Sequence, residues 1–285
     1  MLTKPELKEL NKMHATVNDL VADHRRQKME RWLSPPDPSE NFNKALKQRH
    51  GHSGLWFLQS ETFIKWKVRR NSFLWLYGIP GCGKTILSST IIKTLEYTLP
   101  SQPLLYFYFD FNDRRKQELE SMVRSLIIQL YSKLGNTLKE LDSLFSSCDD
   151  GRRQPSSESL YNAFLKMMEQ VEEVWIVLDA LDECTTRRGS PTEGVISWIG
   201  EVLNSEQRNI HVLVTSRPEQ DIKSGILKFA HHDDTVPIQS SLISEDIRAY
   251  VHTRVREDDR LKRWRSQPEV QNEIESRLMK KADGM

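Results

Sequence analysis

The sequence has 285 residues, of which 41 are Lys or Arg and 40 are Asp or Glu. So small a net charge creates no long-range field that would attract nucleic acid or an anionic membrane surface. The three cysteines, Cys82, Cys148 and Cys184, lack paired spacing, which argues against a disulfide framework and a structural zinc site. The sequence carries neither a recognisable signal peptide nor an apolar run long enough to span a bilayer. We therefore expect a cytoplasmic protein without a nucleic-acid partner or a membrane segment.

The first 50 residues are predicted to form a helical segment. Apolar residues recur at helical spacing between 5 and 31, and prolines at 35, 36 and 38 prevent the helix from continuing past Leu33. These apolar positions are Leu7, Leu10, Met13, Val17, Leu20 and Val21. A second short helix is predicted after Ser39. Both helices are interpreted either as scaffold that packs on the following domain or as part of a partner-binding segment.

Short apolar runs alternate with helical segments in the central part of the chain. The runs at 73–77, 104–109, 174–178 and 210–214 are typical of buried parallel strands, and a weaker fifth run lies at 236–238. The helices between them are predicted at 86–95, 117–134, 138–145 and 158–171. This alternation predicts an α/β fold in which a five-stranded parallel sheet carries helices on both faces.

A phosphate-binding loop is predicted between the first strand and the helix that follows it. Residues 78–85 match the pattern G-x-x-x-x-G-K-[ST] at every fixed position. Glycines let backbone N–H groups converge on a phosphate, and the helix N-terminus adds a partial positive charge. Lys84 is expected to contact the β- and γ-phosphates, and Thr85 is expected to ligate Mg²⁺. The predicted nucleotide-binding residues are Gly78, Ile79, Pro80, Gly81, Cys82, Gly83, Lys84, Thr85 and Ile86.

An acidic cluster follows the third predicted strand. The apolar run that ends in Asp179 has the form of a Walker B motif, and the strand delivers this carboxylate to the sheet edge beside the phosphate loop. We expect Asp179 to hold Mg²⁺. Asp182 and Glu183 are candidate catalytic residues that orient an attacking water. The alternative is that these two residues serve only as a helix N-cap and a solvated charge.

A third group of polar residues, Thr215, Ser216 and Arg217, follows the fourth predicted strand at the same sheet edge. Because the arginine fork matches phosphate oxygens, Arg217 is a candidate catalytic residue that senses the γ-phosphate. Thr215 and Ser216 are expected to respond to the hydrolysis state through hydrogen bonds. The alternative is a structural ion pair between Arg217 and Asp182 or Glu183, and the two roles are compatible at different stages of a cycle.

Two further patterns have simpler interpretations. The aromatic residues Trp56, Phe57, Phe63 and Trp66 are predicted to cover the sheet, with the alternative that one of them flanks a nucleotide base. Residues 231–234 read His-His-Asp-Asp, but adjacent residues rarely converge on one metal ion, so a loop is predicted there.

Taken together, the motifs resemble the NACHT branch of the signal-transduction ATPases known as STAND proteins. The acidic stretch 179–183, with a small residue after its first aspartate, and the group at 215–217 carry this resemblance. The surrounding sequence is similar to fungal NACHT proteins, whose domain is similar to the N-terminal ATPase region of nephrocystin-like proteins. That similarity extends over residues 30–285 and is carried by 54–58, 73–89, 106–113 and 175–184.

The resemblance implies a P-loop NTPase sheet of the ASCE type, flanked by N- and C-terminal helices. We expect an N-terminal segment at 1–50, a NACHT domain at 51–240 and the start of a C-terminal helical region at 241–285. The sequence is expected to stop before the winged-helix and repeat regions of such proteins.

The function that the resemblance implies is a switch that binds ATP or ADP with Mg²⁺ and hydrolyses ATP slowly. Adenine is preferred over guanine on the resemblance alone. Fungal relatives are NLR-like proteins linked to innate immunity, non-self recognition, programmed cell death and heterokaryon incompatibility. Protein partners are expected through the N-terminal helix or through self-association.

Two other classes of function remain open. One is an actively turning-over NTPase or small-molecule kinase, for which Arg114, Arg115, Arg187 and Arg188 are the candidate lid arginines. The other is a truncated, non-catalytic scaffold, against which the intact Lys84 argues.

Overall fold

The computed structural model describes residues 4–51, 53–134, 139–204, 209–238 and 240–282. The strands are β1 (Ser72–Tyr77), β2 (Leu104–Tyr108), β3 (Glu173–Asp179), β4 (Asn209–Ser216) and β5 (Thr235–Pro237). The α-helices are α1 (Lys4–Leu33), α2 (Ser39–Gln48), α3 (Leu55–Leu58), α4 (Glu61–Val68), α5 (Lys84–Thr98), α6 (Leu119–Leu134), α7 (Lys139–Ser147), α8 (Ser157–Met168), α9 (Val195–Leu203), α10 (Gln220–Ile226), α11 (Ser240–Glu257) and α12 (Pro268–Ala282). All five predicted strands are confirmed. Leu138, where one helix was predicted to begin, lies outside the described residues.

The strands form one parallel sheet in the order β2-β3-β4-β1-β5. Their continuous apolar sequences suit this position because helices cover both faces of the sheet. Tyr77 at the end of β1 is in register with Ser216 at the end of β4, so the loops that follow these strands begin side by side. β4 separates β1 from β3, which ends at Asp179. The α/β fold class is therefore confirmed, and the strand order is consistent with a P-loop NTPase.

Successive residues of each strand point to opposite faces and contribute to two apolar layers. On β1, Trp75 lies in the layer that contacts the last turns of α1 and helices α6 to α10. Leu76 lies in the opposite layer, which contacts α2 to α5. The aromatic residues predicted to cover the sheet belong to this second layer: Phe57, Phe63 and Trp66 are buried in it, and Trp56 packs at its margin.

The two ends of α1 have different surroundings. The indole of Trp32 is buried, packs edge-on against Phe145 with ring centroids 5.0 Å apart, and donates a 2.9 Å hydrogen bond to the carbonyl of Arg153. These contacts make the last turns of α1 part of the scaffold, as one interpretation predicted. Farther from the domain, four apolar side chains on α1 are 52–64% exposed: Met13, Val17, Leu20 and Val21.

The C-terminal helices α11 and α12 pack against each other, and α11 also contacts the sheet domain. Asp246 on α11 accepts a 2.8 Å hydrogen bond from the backbone N–H of Gly54, and Ile243 is buried in the second apolar layer. A 3-10 turn, Asp259–Trp264, connects the two helices. Within the described residues, no helix has both the length and the apolar character needed to cross a bilayer.

Candidate nucleotide-binding site

The loop that joins β1 to α5 requires glycine for two different reasons. Gly81 and Gly83 each have φ of +83°, a left-handed conformation that side chains disfavour. A Cβ at either position would meet no atom within 4 Å, so the space in front of the loop is open there. A Cβ on Gly78, by contrast, would lie 2.7 Å from the sulfur of Cys82. An open loop of this kind at the N-terminus of a 15-residue helix fits an anion such as phosphate.

The ammonium group of Lys84 lies at this loop. Its Nζ donates hydrogen bonds of 2.8 Å to the carbonyl of Gly78 and 2.9 Å to the carbonyl of Ile79. The same nitrogen lies 3.7 Å from the sulfur of Cys82. The loop therefore holds a positive charge next to its own open space, where an anion would be bound.

Asp179 is the centre of a hydrogen-bond network that joins α5, β3 and β4. Its carboxylate is 1% exposed and accepts hydrogen bonds from the hydroxyls of Thr85 at 2.7 Å, Ser88 at 2.5 Å and Thr215 at 2.7 Å. Burial raises the pKa of Asp179, while the three hydroxyl hydrogen bonds and the charge of Lys84 oppose that rise. The contact of Ser88 with Asp179 was not predicted from the sequence. Ser88 lies four positions after Lys84, and this spacing, which places both residues on the same face of α5, could have indicated it.

The contact between Thr85 and Asp179 fits a magnesium site. A hydroxyl and a carboxylate meet here, and Mg²⁺ prefers oxygen ligands, only some of which the protein supplies. The described residues contain no group of three or more His, Cys, Asp or Glu that could hold a metal by themselves. Residues 231–234, for which a loop was predicted, form a short 3-10 turn in which Asp234 accepts a hydrogen bond from the N–H of His231 and pairs with Arg69.

Asp182 and Arg217 form an ion pair at the same sheet edge. One carboxylate oxygen of Asp182 accepts the backbone N–H of Arg217 at 2.9 Å, and the other lies 2.6 Å from the Nε of the same arginine. The Asp182 side chain is 3% exposed, whereas that of Arg217 is 44% exposed. Both oxygens of Asp182 are thus engaged by one residue, and the ion pair predicted as an alternative role for Arg217 is present.

Glu183 lies next to this ion pair but has different contacts. One of its oxygens accepts a 2.8 Å hydrogen bond from the backbone N–H of Phe111, and the other accepts none from the described residues. Burial raises the pKa of Glu183, the Phe111 hydrogen bond lowers it, and the charges of Asp182, Asp110 and Asp179 raise it further. A half-buried carboxylate with a raised pKa and a free oxygen is suited to accept a proton from water.

The two hydroxyl residues before Arg217 point to different partners. Thr215 donates to Asp179 and accepts a 3.1 Å hydrogen bond from the backbone N–H of Ala180, so it connects the ends of β3 and β4. Ser216 accepts a 2.8 Å hydrogen bond from the indole of Trp75 and donates to the carbonyl of Arg217. The structure therefore brings the hydroxyl of Thr215 to Asp179, while that of Ser216 is used in packing.

A cavity of about 640 Å³ adjoins the phosphate loop and was not predicted from the sequence. Its walls are formed by the phosphate loop, by residues 47–50, 53, 54 and 56, and by helix α11. Three aromatic rings line it, those of His50, Trp56 and Tyr250, and the His50 and Tyr250 rings meet edge-on with centroids 6.3 Å apart. Small-molecule sites commonly have volumes of roughly 300–1,000 Å³ and aromatic or apolar walls. The cavity can therefore accommodate a ring system that continues from a group in the phosphate loop.

Two comparisons relate this site to known proteins. A family model described as "Nephrocystin 3, N-terminal" matches residues 52–217, which is more than half of the chain and includes the phosphate loop, Asp179 and Arg217. The Vegetative incompatibility protein HET-E-1 of Podospora anserina is 25% identical to this chain over 163 residues. That alignment covers 52% of this chain but only 12% of the relative. Both matches support the resemblance to NACHT-like proteins.

Proposed function

We propose that this chain, which belongs to the Nephrocystin 3, N-terminal family, is an ATP/ADP-binding signal-transduction module of the NACHT type. The observation that carries the proposal is the meeting of Lys84, Thr85 and Asp179 at one end of the sheet, where Thr85 contacts Asp179 directly. These residues come from a helix N-terminus and a strand 94 positions later in the sequence. The same three residue types are what phosphate and magnesium binding require.

The residues present fit both a nucleotide and its metal ion. Lys84 and the N–H groups of the loop 78–85 would hold the phosphates, and Thr85 and Asp179 would hold Mg²⁺. Bound Mg²⁺ neutralises charge on phosphate oxygens. The aromatic cavity beside the loop would hold the base and ribose. The choice of adenine rests on the family resemblance.

The contacts of the two acidic residues Asp182 and Glu183 support slow hydrolysis. Asp182 has both oxygens engaged by Arg217, which leaves Glu183 as the residue that would orient and deprotonate water. Arg217 would contact the γ-phosphate through its two terminal nitrogens while its Nε stays paired with Asp182. A switch requires a difference in affinity between its states rather than rapid turnover. We therefore propose that ATP and ADP select different states of the chain.

The biological setting is proposed from the fungal relative, whose name assigns that protein to vegetative incompatibility. We propose a related role for this chain, in non-self recognition or programmed cell death of an NLR-like system. In this proposal, residues 51–240 form the switch between an N-terminal segment and a C-terminal helical region. The exposed apolar side chains of α1 support a protein partner or self-association at the N-terminal helix.

Thermal unfolding with Mg-ATP, Mg-ADP, Mg-GTP or no ligand tests the proposal. A nucleotide at about a hundredfold excess over its dissociation constant stabilises the chain by about 2.7 kcal/mol. We expect this stabilisation with adenine nucleotides and its loss in Lys84→Ala. Lys93→Ala is the matched control, because Lys93 lies on the same helix, has a side chain that is 60% exposed and pairs with Glu96 at 3.7 Å.

Three results would contradict the proposal. Stabilisation that persists in Lys84→Ala would show that the assigned loop does not bind the phosphates. The lack of any stabilisation of the wild-type chain would favour the scaffold class of function instead. Rapid multiple turnover with a small acceptor would favour the kinase class.

A further inference from the structure

Arginine–carboxylate contacts run in both directions between the segment after β3 and the segment after β4. In one direction, Arg217 of the β4 segment donates to Asp182 of the β3 segment. In the other, Arg187 of the β3 segment donates to Glu219 and Asp221 at the start of α10. Each segment therefore supplies both an arginine and carboxylates to the contact between them.

The guanidinium group of Arg187 uses three nitrogens on three different acceptors. Its Nε lies 2.9 Å from Asp221 Oδ2, and its Nη2 lies 3.0 Å from Glu219 Oε2. Its Nη1 donates a 2.6 Å hydrogen bond to the backbone carbonyl of Asp182. The Arg187 side chain is only 23% exposed, so water screens these contacts less than it screens a surface ion pair.

The main chain at Arg187 is also fixed. Its carbonyl accepts a 3.3 Å hydrogen bond from the N–H of Ile196, and the carbonyl of Thr186 accepts a 3.0 Å hydrogen bond from the N–H of Val195. Both bonds attach this loop to the first turn of α9. Arg187 thus reaches Asp182 from an anchored position, which a positioning role requires.

We propose that Arg187 is a positioning residue for the Asp182–Arg217 pair. The backbone carbonyl of Asp182 is held by Arg187 and its carboxylate is held by Arg217, so the two arginines fix one residue from two sides. Loss of Arg187 frees the main chain of Asp182 and with it the carboxylate that orients Arg217. The effect of Arg187 on nucleotide therefore passes through Asp182 and Arg217.

The consequence for nucleotide selection rests on the proposed function, in which Arg217 contacts the γ-phosphate. ADP lacks that phosphate, so a displaced Arg217 weakens the binding of ATP and leaves the binding of ADP unchanged. The positioning of Asp182 and Arg217 by Arg187 is a property of the chain without nucleotide. It can therefore be measured separately from the effect of Arg187 on ATP binding.

The first measurement is a double-mutant cycle on the unliganded chain. Urea unfolding is compared for the wild type, Arg187→Met, Arg217→Met and the double variant. If Arg187 positions the Asp182–Arg217 pair, Arg217→Met lowers the free energy of unfolding at least about twice as much in the wild-type background as in the Arg187→Met background. Additive effects of the two substitutions would overturn the inference.

The second measurement is the ratio of the ATP and ADP dissociation constants by titration calorimetry. We expect Arg187→Met to reduce the preference for ATP over ADP on the order of tenfold, as expected for the loss of a charged hydrogen bond. Arg217→Met should have the same effect, and the double variant should lose no more than either single variant. Equal losses of ATP and ADP affinity in Arg187→Met would indicate a general structural defect and overturn the inference.

Control variants complete the design. Arg188→Met should leave the ratio unchanged, because Arg188 is 76% exposed and lies 3.8 Å from Asp221. If Arg187→Met does not fold, Asp221→Asn is the substitute, because it weakens the contact that holds Arg187 in place. It should shift the ratio of the ATP and ADP dissociation constants in the same direction by a smaller factor. An unchanged ratio in Arg187→Met, where Arg217→Met changes it, would overturn the inference. If the wild-type chain binds no nucleotide, the proposed function fails, and the unfolding cycle alone decides the role of Arg187.

Discussion

The hydroxyl of Thr85 donates a 2.7 Å hydrogen bond to the carboxylate of Asp179, so the two residues assigned to magnesium from the sequence are in direct contact. Asp179 is not held there by Thr85 alone. Ser88 and Thr215 hold the same carboxylate from α5 and β4. The position of Asp179 is thus fixed by three hydroxyl groups from two elements, α5 and β4, as expected for a preorganised site.

Thr85→Val should remove the magnesium dependence of ATP binding. Valine keeps the shape of threonine but lacks the hydroxyl, so we expect the affinity for Mg-ATP to fall about 10–100-fold, in the range for damaged metal sites. In excess EDTA, wild type and variant should bind ATP equally. Titration calorimetry in both conditions makes the comparison, and Thr90→Val is the control, because that hydroxyl bonds the carbonyl of Ile86. A Thr85→Val chain that still responds to Mg²⁺ like the wild type contradicts the assignment.

Trp56→Leu should weaken the binding of whole nucleotides but not of their phosphate groups. The substitution keeps an apolar side chain at the margin of the second layer and removes an aromatic wall of the cavity. We expect the affinities for ATP and ADP to fall by a similar factor, roughly threefold to tenfold, in line with the energies of aromatic contacts. The affinity for inorganic triphosphate should not change. Tyr97→Leu serves as the control because Tyr97 lies exposed on α5. An equal loss for triphosphate would place Trp56 outside the base site.

His211 should make the stability of the fold sensitive to mild acid. Its ring stacks on Trp175 with centroids 3.8 Å apart, and its Nε2 lies 3.1 Å from a carboxylate oxygen of Glu173. Burial lowers the pKa of His211, and the contact with Glu173 opposes this shift. The unfolded chain therefore binds a proton at a higher pH than the folded chain does. The contribution of His211 to stability is complete above about pH 6.5 and is lost as the pH falls below that value.

The measurement is the free energy of unfolding in urea at several pH values between 7.5 and 5.5. Wild type should lose more stability over this range than His211→Gln, which does not titrate. His24→Gln should follow the wild type, because His24 is exposed on α1. If the free energy of unfolding falls equally with pH in the wild type and in His211→Gln, folding does not lower the pKa of His211.

The strands and the phosphate loop could be predicted from the sequence because their signals are local. A strand buried on both faces needs a continuous apolar run, and residues 174–178 satisfy that need without reference to the rest of the chain. Residues 78–85 likewise carry their loop geometry in their own glycines and lysine. The ion pair of Asp182 with Arg217 was predicted only as an alternative, because sequence spacing does not state which of two functions a charged pair serves at a given time.

The cavity could not be predicted because its walls come from distant parts of the chain. Gly54 and Asp246 are hydrogen-bonded across 192 positions, and His50 meets Tyr250 in the same region. No local pattern relates the segment 47–56 to α11. The exposed apolar side chains of α1 illustrate a second limit, since helical spacing predicts an apolar stripe but does not show what covers it.

The hydrogen bond from Gly54 to Asp246 joins two walls of the cavity. Gly54 belongs to the segment before α3, Asp246 belongs to α11, and both residues line the cavity beside the phosphate loop. Because α12 packs on α11, a partner that displaces α12 would also act on α11, which is one wall of the cavity. If nucleotide binds as proposed, reciprocity requires that a partner that changes the affinity for nucleotide by some factor has its own affinity changed by nucleotide by the same factor. The C-terminal helices would then couple the binding of a partner to the occupancy of the proposed nucleotide site.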